Sequence, residues 1–145
     1  MLSFRHILVP VDFGESSREA LAAAIDLSKQ YQSALTLVHT LEIPAYGYGA
    51  LEVSAINALG PLHGLAEQEL ATLLAEVRKQ RPEATSVLST GVAWHEILGA
   101  IERLKPDLVV MGTHGRRGLR RMILGSVAEN IVRMSPASVL TVHIK

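Results

Sequence analysis

Short unbroken apolar runs alternate along the chain with longer segments whose apolar residues recur at helical spacing. Residues 6–11, HILVPV, form the first run and end at Asp12. A continuous apolar stretch of this length predicts a strand buried on both faces. Residues 34–39, 84–90, 108–111 and 137–143 predict four more strands. Between them, residues 15–31 carry Ala20, Leu21, Ala24, Ile25 and Ser28 on one helical stripe. Residues 62–80 do the same with Leu62, Leu65, Ala66, Leu70, Leu73, Leu74 and Val77. Residues 94–104 place Ile97, Leu98, Ile101 and Leu104 inward, and residues 126–134 place Val127, Ala128, Ile131 and Val132 inward. Each is an amphipathic helix by its period. Ser16 or Ser17 suits the cap of the first helix and Glu15 its first turn. Pro82, Pro106 and Pro136 follow helix ends, where proline cannot continue a helix.

Strands alternating with helices predict an α/β fold, a parallel sheet with helices on both faces. Right-handed crossovers restrict it to a few doubly wound orders. Ligands in such sheets bind beyond the carboxyl ends of the strands, where the winding reverses. Residues 41–61 break the alternation with three glycines, two prolines and two tyrosines. A connection of that length is either a flap over a site or a surface loop.

Composition narrows the class. At 145 residues, 48% hydrophobic and 19% charged, the chain is the size of one globular domain, taken as residues 1–145. Fourteen basic and fourteen acidic residues cancel. A balanced charge gives no long-range field toward nucleic acid or a membrane surface. Aromatic residues make up only 4%, too few for base-stacking platforms. There is no cysteine, which excludes disulfides, thiolate metal sites and cysteine nucleophiles and fits a reducing cytoplasm. No run reaches the length of a membrane-spanning helix.

The candidate chemistry concentrates in residues 112–126, GTHGRRGLRRMILGS, which follow the fourth strand and enter the last helix. Glycines permit close backbone approach, arginines offer forked donors to phosphate oxygens, and a helix start presents unpaired N–H groups. The commoner phosphate loops do not match. A P-loop needs a lysine, and none occurs between 106 and 144. The dinucleotide pattern fails at Glu52, where Gly47-Tyr48-Gly49 lacks its third glycine. A phospho-receiver domain would want an aspartate after the third strand, where Ser89-Thr90-Gly91 stands.

The spacing that does match is G-x2-G-x9-G-S, at Gly112, Gly115, Gly125 and Ser126. Together with ILVPVD at 7–12, LVHT at 37–40, PDLVVMGTHG at 106–115 and PASVLTV at 136–142, it resembles the nucleotide-binding branch of the universal stress protein family. The resemblance covers essentially the whole chain. It implies a doubly wound five-stranded parallel sheet of order 3-2-1-4-5, which makes strands one and four neighbours. It implies ATP, or another adenine nucleotide, in the cleft between them, with magnesium. Pro10, Val11 and Asp12 would then lie along the adenosine, with Asp12 near the ribose or a phosphate-bound metal. Thr40 would meet the adenine, at a position where family members often carry an aliphatic residue. Met111, Gly112, Thr113, His114, Gly115, Arg116, Arg117 and Gly118 would wrap the ribose and phosphates, and Gly125, Ser126 and Val127 would meet the phosphates. Gly14 departs from a common serine or threonine. The resemblance further implies a homodimer through the fifth strand, residues 137–143.

Plainer readings stand beside these. Asp12 also suits a helix cap, His114 and His39 also suit packing, and Trp94 suits rim packing beside Gly91. Arg120 and Arg121 suit a solvated face, and Leu119, Met122, Ile123 and Leu124 suit fastening the loop to the core. Two functions follow. One is a cytoplasmic ATP-binding regulatory module of the stress response whose state an unidentified protein partner reads. The other is a slow ATPase or self-phosphorylating enzyme, which would need groups to position a nucleophile and metal in line. Beside Asp12 the sequence offers no evident second acid for that task.

Overall fold

The computed structural model describes residues 3–43, 53–114 and 124–144. Five strands and four helices alternate: β1 (His6–Pro10), α1 (Glu15–Tyr31), β2 (Ala34–Glu42), α2 (Val53–Arg78), β3 (Thr85–Gly91), α3 (Ala93–Leu104), β4 (Leu108–Gly112), α4 (Ser126–Met134) and β5 (Ser138–Val142). The strands form one sheet in the order β3-β2-β1-β4-β5, with every neighbouring pair parallel. This is the doubly wound order that the resemblance implied.

The central strands are apolar on both faces because each face has its own core. Ile7, Val9 and Val11 of the β1 region join Leu35, Leu37, Leu108 and Val110 against Ala20, Leu21, Ala24 and Ile25 of α1 and Leu70, Leu74 and Val77 of α2. Leu8, Val38, Val109 and Met111 join Ile97, Ala100 and Ile101 of α3 and Ala128 and Ile131 of α4 on the other face. Successive side chains on a strand point to opposite faces, so an unbroken apolar run serves two helical layers. The layer changes between β1 and β4. Their ladder holds only the pairs Ile7–Leu108 and Leu8–Val109, whereas β1 and β2 pair through five positions. Beyond Leu8 the two strands part, and Pro10, which has no N–H, closes β1. The parting opens the crevice expected at a reversal of winding.

Several helical details differ from the sequence expectation. α2 is one helix from Val53, running through Pro61, rather than a helix beginning near residue 62. Its 26 residues span about 39 Å, longer than the strands beneath. Leu62 and Leu65, expected in the core, stand exposed. Proline is tolerated there at the cost of one bond to the Asn57 carbonyl. Val132 is also exposed, since only Ala128 and Ile131 of α4 are fully buried. Neither Ser16 nor Ser17 caps α1. The cap position is Gly14, without a side-chain bond, and both serines are buried inside the first turn. β2 continues to Glu42, three residues past its expected end. Of the expected 41–61 connection, residues 41–42 extend β2 and 53–61 belong to α2, while residues 44–52, including both tyrosines, and residues 115–123 lie outside the described residues.

Candidate functional site

The carboxyl ends of β1, β2 and β4 and the N-termini of α3 and α4 surround a cleft of about 640 Å³. Of the residues singled out in the sequence, Pro10, Val11, Asp12, Thr40, Met111, Gly112, Thr113, His114, Gly125, Ser126 and Val127 all line it. Gly115, Arg116, Arg117 and Gly118, singled out with them, lie outside the described residues.

One wall is the turn from β1 into α1. The Asp12 Oδ1 accepts the Gly14 N–H at 2.9 Å, and the Asp12 N–H donates to Ser17 Oγ at 3.2 Å. The side chain thus folds the turn, as short acidic residues do. Phe13 between them has φ 65°. An aromatic residue in the left-handed region costs about 1–2 kcal/mol. Packing offsets that cost: the Phe13 ring lies 4.4 Å from the His39 ring and against the α1–α2 core. His39 donates from Nδ1 to the Val11 carbonyl at 2.7 Å, so the β1 end is held to β2 as well.

The opposite wall is the passage from β4 to α4. The Gly125 N–H donates to the Thr113 carbonyl at 2.7 Å and closes the neck of the connection. Thr113 is buried, and its hydroxyl is bonded to His114 Nδ1 at 2.9 Å. α4 then starts at Ser126 with Gly125 at the cap position and no side-chain cap. The first N–H groups of a helix have no partner within it, and they carry the positive end of its dipole. Ser126, Val127 and Ala128 therefore turn donors toward a space they also line. Such an end suits an anion.

Gly112 has a different reason to be glycine than close approach of a ligand. A Cβ there would lie 2.8 Å from the Ser16 carbonyl carbon and oxygen. β4 and the start of α1 touch at that point, and only glycine leaves room. Thr40 shares a hydrogen bond with Ser89 of β3 at 3.1 Å. The cleft also includes Ser17, His39, Glu42, Ala93 and Ile97, which sequence reasoning did not place in a site. Ala93 and Ile97 are ordinary residues of an amphipathic helix and carry no signal. Glu42 falls past the expected end of β2, and the longer strand carries it into the cleft. It is a second carboxylate, with Asp12, in the lining of the cleft.

No group of three or more His, Asp or Glu side chains able to hold a metal occurs among the described residues. A second cavity of about 550 Å³ lies between α1 and α2. Its lining joins the apolar Val11, Phe13, Leu21 and Val77 to the polar Ser17, Arg18, Gln68, Glu69, Glu76 and Gln80. The start of α4, which lines the first cleft, does not line this one. Among the described residues no helix is long and apolar enough to cross a membrane.

The model of the universal stress protein family matches residues 3–143. Universal stress protein A homolog 1 of Coxiella burnetii is 30% identical over 146 residues, covering 99% of each chain. The solved structure of UspA from Lactobacillus plantarum superposes with a TM-score of 0.84 at 24% identity, over 98% of this chain and 99% of that one. Three further solved structures of universal stress proteins hold nucleotides: one with cAMP, one from Arabidopsis thaliana with AMP and one from Archaeoglobus fulgidus with dAMP. Their TM-scores are 0.67, 0.69 and 0.61, at 20, 14 and 17% identity, and each alignment covers 92–98% of both chains.

Proposed function

The chain belongs to the universal stress protein family, and on that premise we propose that its β1–β4 cleft binds an adenine nucleotide, ATP with magnesium, as the regulatory input of a cytoplasmic stress-response module. One observation carries the proposal: the uncapped start of α4 faces a cleft whose other wall presents Asp12. Anion donors and a metal-competent carboxylate then flank one space large enough for a nucleotide. The nucleotide complexes of distant relatives with the same fold support the same ligand class. In this reading Pro10, Val11 and Asp12 run along the adenosine and Thr40 meets the adenine edge. Met111 to His114, with Gly115 to Gly118 beyond them, embrace the ribose and phosphates. Gly125, Ser126 and Val127 offer backbone N–H groups to the phosphates, and Asp12 supplies one ligand to magnesium. Isothermal titration with MgATP tests it; no heat of binding at millimolar nucleotide overturns it.

The module acts as a homodimer paired through β5, whose state a protein partner reads. Among the described residues β5 has only β4 as a neighbour, and Leu140 on it and Val132, Met134 and Ile144 near it are exposed. An apolar edge strand invites pairing with another chain. Sedimentation that finds a monomer at micromolar concentration overturns this part. A second reading is a slow ATPase, and Glu42 favours it by adding a carboxylate to the cleft wall. Turnover above about one per second, in the usual enzymatic range, would favour that reading over a purely regulatory one.

A further inference from the structure

The two walls of the cleft belong to different loops, yet both are tied to the same turn of one helix. Ser16 and Ser17 are adjacent, buried to 4% and 6% exposure, and sit in the first turn of α1. Ser17 Oγ accepts the Asp12 N–H at 3.2 Å and donates to the Gly14 carbonyl at 3.3 Å. Ser16 Oγ accepts the His114 N–H at 3.3 Å, a link across 98 positions of sequence. The Ser16 backbone occupies the space that a side chain on Gly112 would need. Neither serine caps the helix, although the sequence offers both as caps. A buried hydroxyl that does not cap its helix has to find partners elsewhere, and each here finds one on a different wall.

We propose that Ser16 and Ser17 are the positioning residues of the cleft, a brace at the start of α1 that sets the separation of its walls. Ser17 holds the Asp12 turn and Ser16 holds the neck at Thr113–His114. The scheme needs no ligand contact with either hydroxyl: Ser16 does not line the cleft, and Ser17, which does, acts through the Asp12 turn. The brace acts by fixing where Asp12 and the Thr113–Gly125 neck stand before any ligand arrives, which spares the ordering cost at binding. The proposal rests on the nucleotide reading of the cleft. It adds that the first turn of α1 ties both walls together, Ser16 at the phosphate wall and Ser17 at the Asp12 turn.

The consequence is selective. Ser16→Ala removes the tie between α1 and the neck beside the phosphates, leaving the Gly125–Thr113 bond in place and Pro10, Val11 and Thr40 untouched. Loss of one ordinary hydrogen bond corresponds to about a fivefold change in affinity. Titration of wild type and Ser16→Ala with adenosine, AMP and ATP is expected to show about that loss for ATP, a smaller one for AMP and almost none for adenosine. Ser28→Ala serves as the control, because Ser28 Oγ, fully buried, bonds only the Ile25 carbonyl within α1. It is expected to lower the melting temperature without changing any of the three affinities. Equal losses for all three ligands in Ser16→Ala, or none, would overturn the brace. Wild type that binds none of the ligands would overturn the nucleotide reading instead. The brace then still answers to amide hydrogen exchange in the unmutated protein, which also serves if Ser16→Ala fails to fold. Asp12 and His114 amides held by one brace open together and exchange with one opening free energy. A His114 amide that exchanges freely while Asp12 is protected would refute it.

Discussion

The two walls of the cleft solve opposite problems. The β1–α1 turn is satisfied within itself. Asp12 folds back on Gly14, Ser17 receives the Asp12 N–H, and the left-handed Phe13 is held by its ring against His39. The β4–α4 passage closes its neck through Thr113 and Gly125 but leaves the start of α4 without a side-chain cap. One wall is a shaped surface whose polar groups are mostly committed. The other is a set of donors held in place for something else to accept. The difference shows where binding energy has to come from: the committed wall gives shape and a single carboxylate, and the open wall gives charge recognition.

Gly125→Asp is the strongest way to break that contrast. Gly125 has φ −64° and ψ 164°, which an aspartate adopts without strain, and aspartate is a favoured N-cap. The carboxylate would take the free N–H groups of α4 and repel phosphate at the same time. ATP affinity is expected to fall by about 100-fold or more, the equivalent of two charge-assisted bonds, while the melting temperature holds or rises. A variant that binds ATP normally would show that the open wall is not the phosphate wall. Gly112→Ala addresses the contact between the walls. Overpacking against the Ser16 backbone is expected to destabilise the protein by about 1–3 kcal/mol, measured by urea unfolding. An unchanged midpoint would mean that the close approach does not constrain the fold.

Asp12→Asn separates the two duties of the committed wall. The amide oxygen still accepts the Gly14 N–H, so the turn should persist, but the charge is gone. Affinity for MgATP is expected to fall about tenfold and affinity in the presence of a chelator to stay nearly constant. Equal loss with and without magnesium would assign Asp12 to shape alone. The smallest effect is expected from Ser126→Ala. The backbone donors of α4 remain, and only a hydroxyl is lost, so ATP affinity should drop by about two- to fivefold. A loss as large as that of Gly125→Asp would place recognition in side chains rather than in the helix start.

Much of this contrast was visible before any fold was known, but unevenly. The apolar stripe of α1, Ala20 to Ser28, is buried residue for residue, because a stripe packed along its whole length onto a sheet leaves no choice. The stripe of α2 misleads at Leu62 and Leu65, which share the helical period of the buried Leu70, Leu74 and Val77 yet stand exposed, because burial depends on what packs against each turn and no local period records that. Glycine at 112 is legible as glycine, but its cause is not: the neighbour it makes room for, Ser16, lies 96 positions away. Likewise Ser16 and Ser17 look like caps in a local window, and only the approach of β4 reveals other partners.

By itself, the sequence determined the alternation of strands and helices, the two-faced burial of the central strands and the spacing that carries the family resemblance. These depend on residues near one another in the chain, where period and composition act directly. The tertiary structure alone decided what meets across the cleft: Glu42 carried in by a longer β2, Thr113 closing on Gly125, and one turn of α1 touching both walls. Those pairings depend on strand order and on the parting of β1 from β4 beyond Leu8. A distance between loops follows from how layers stack, and no stretch of the chain encodes it on its own.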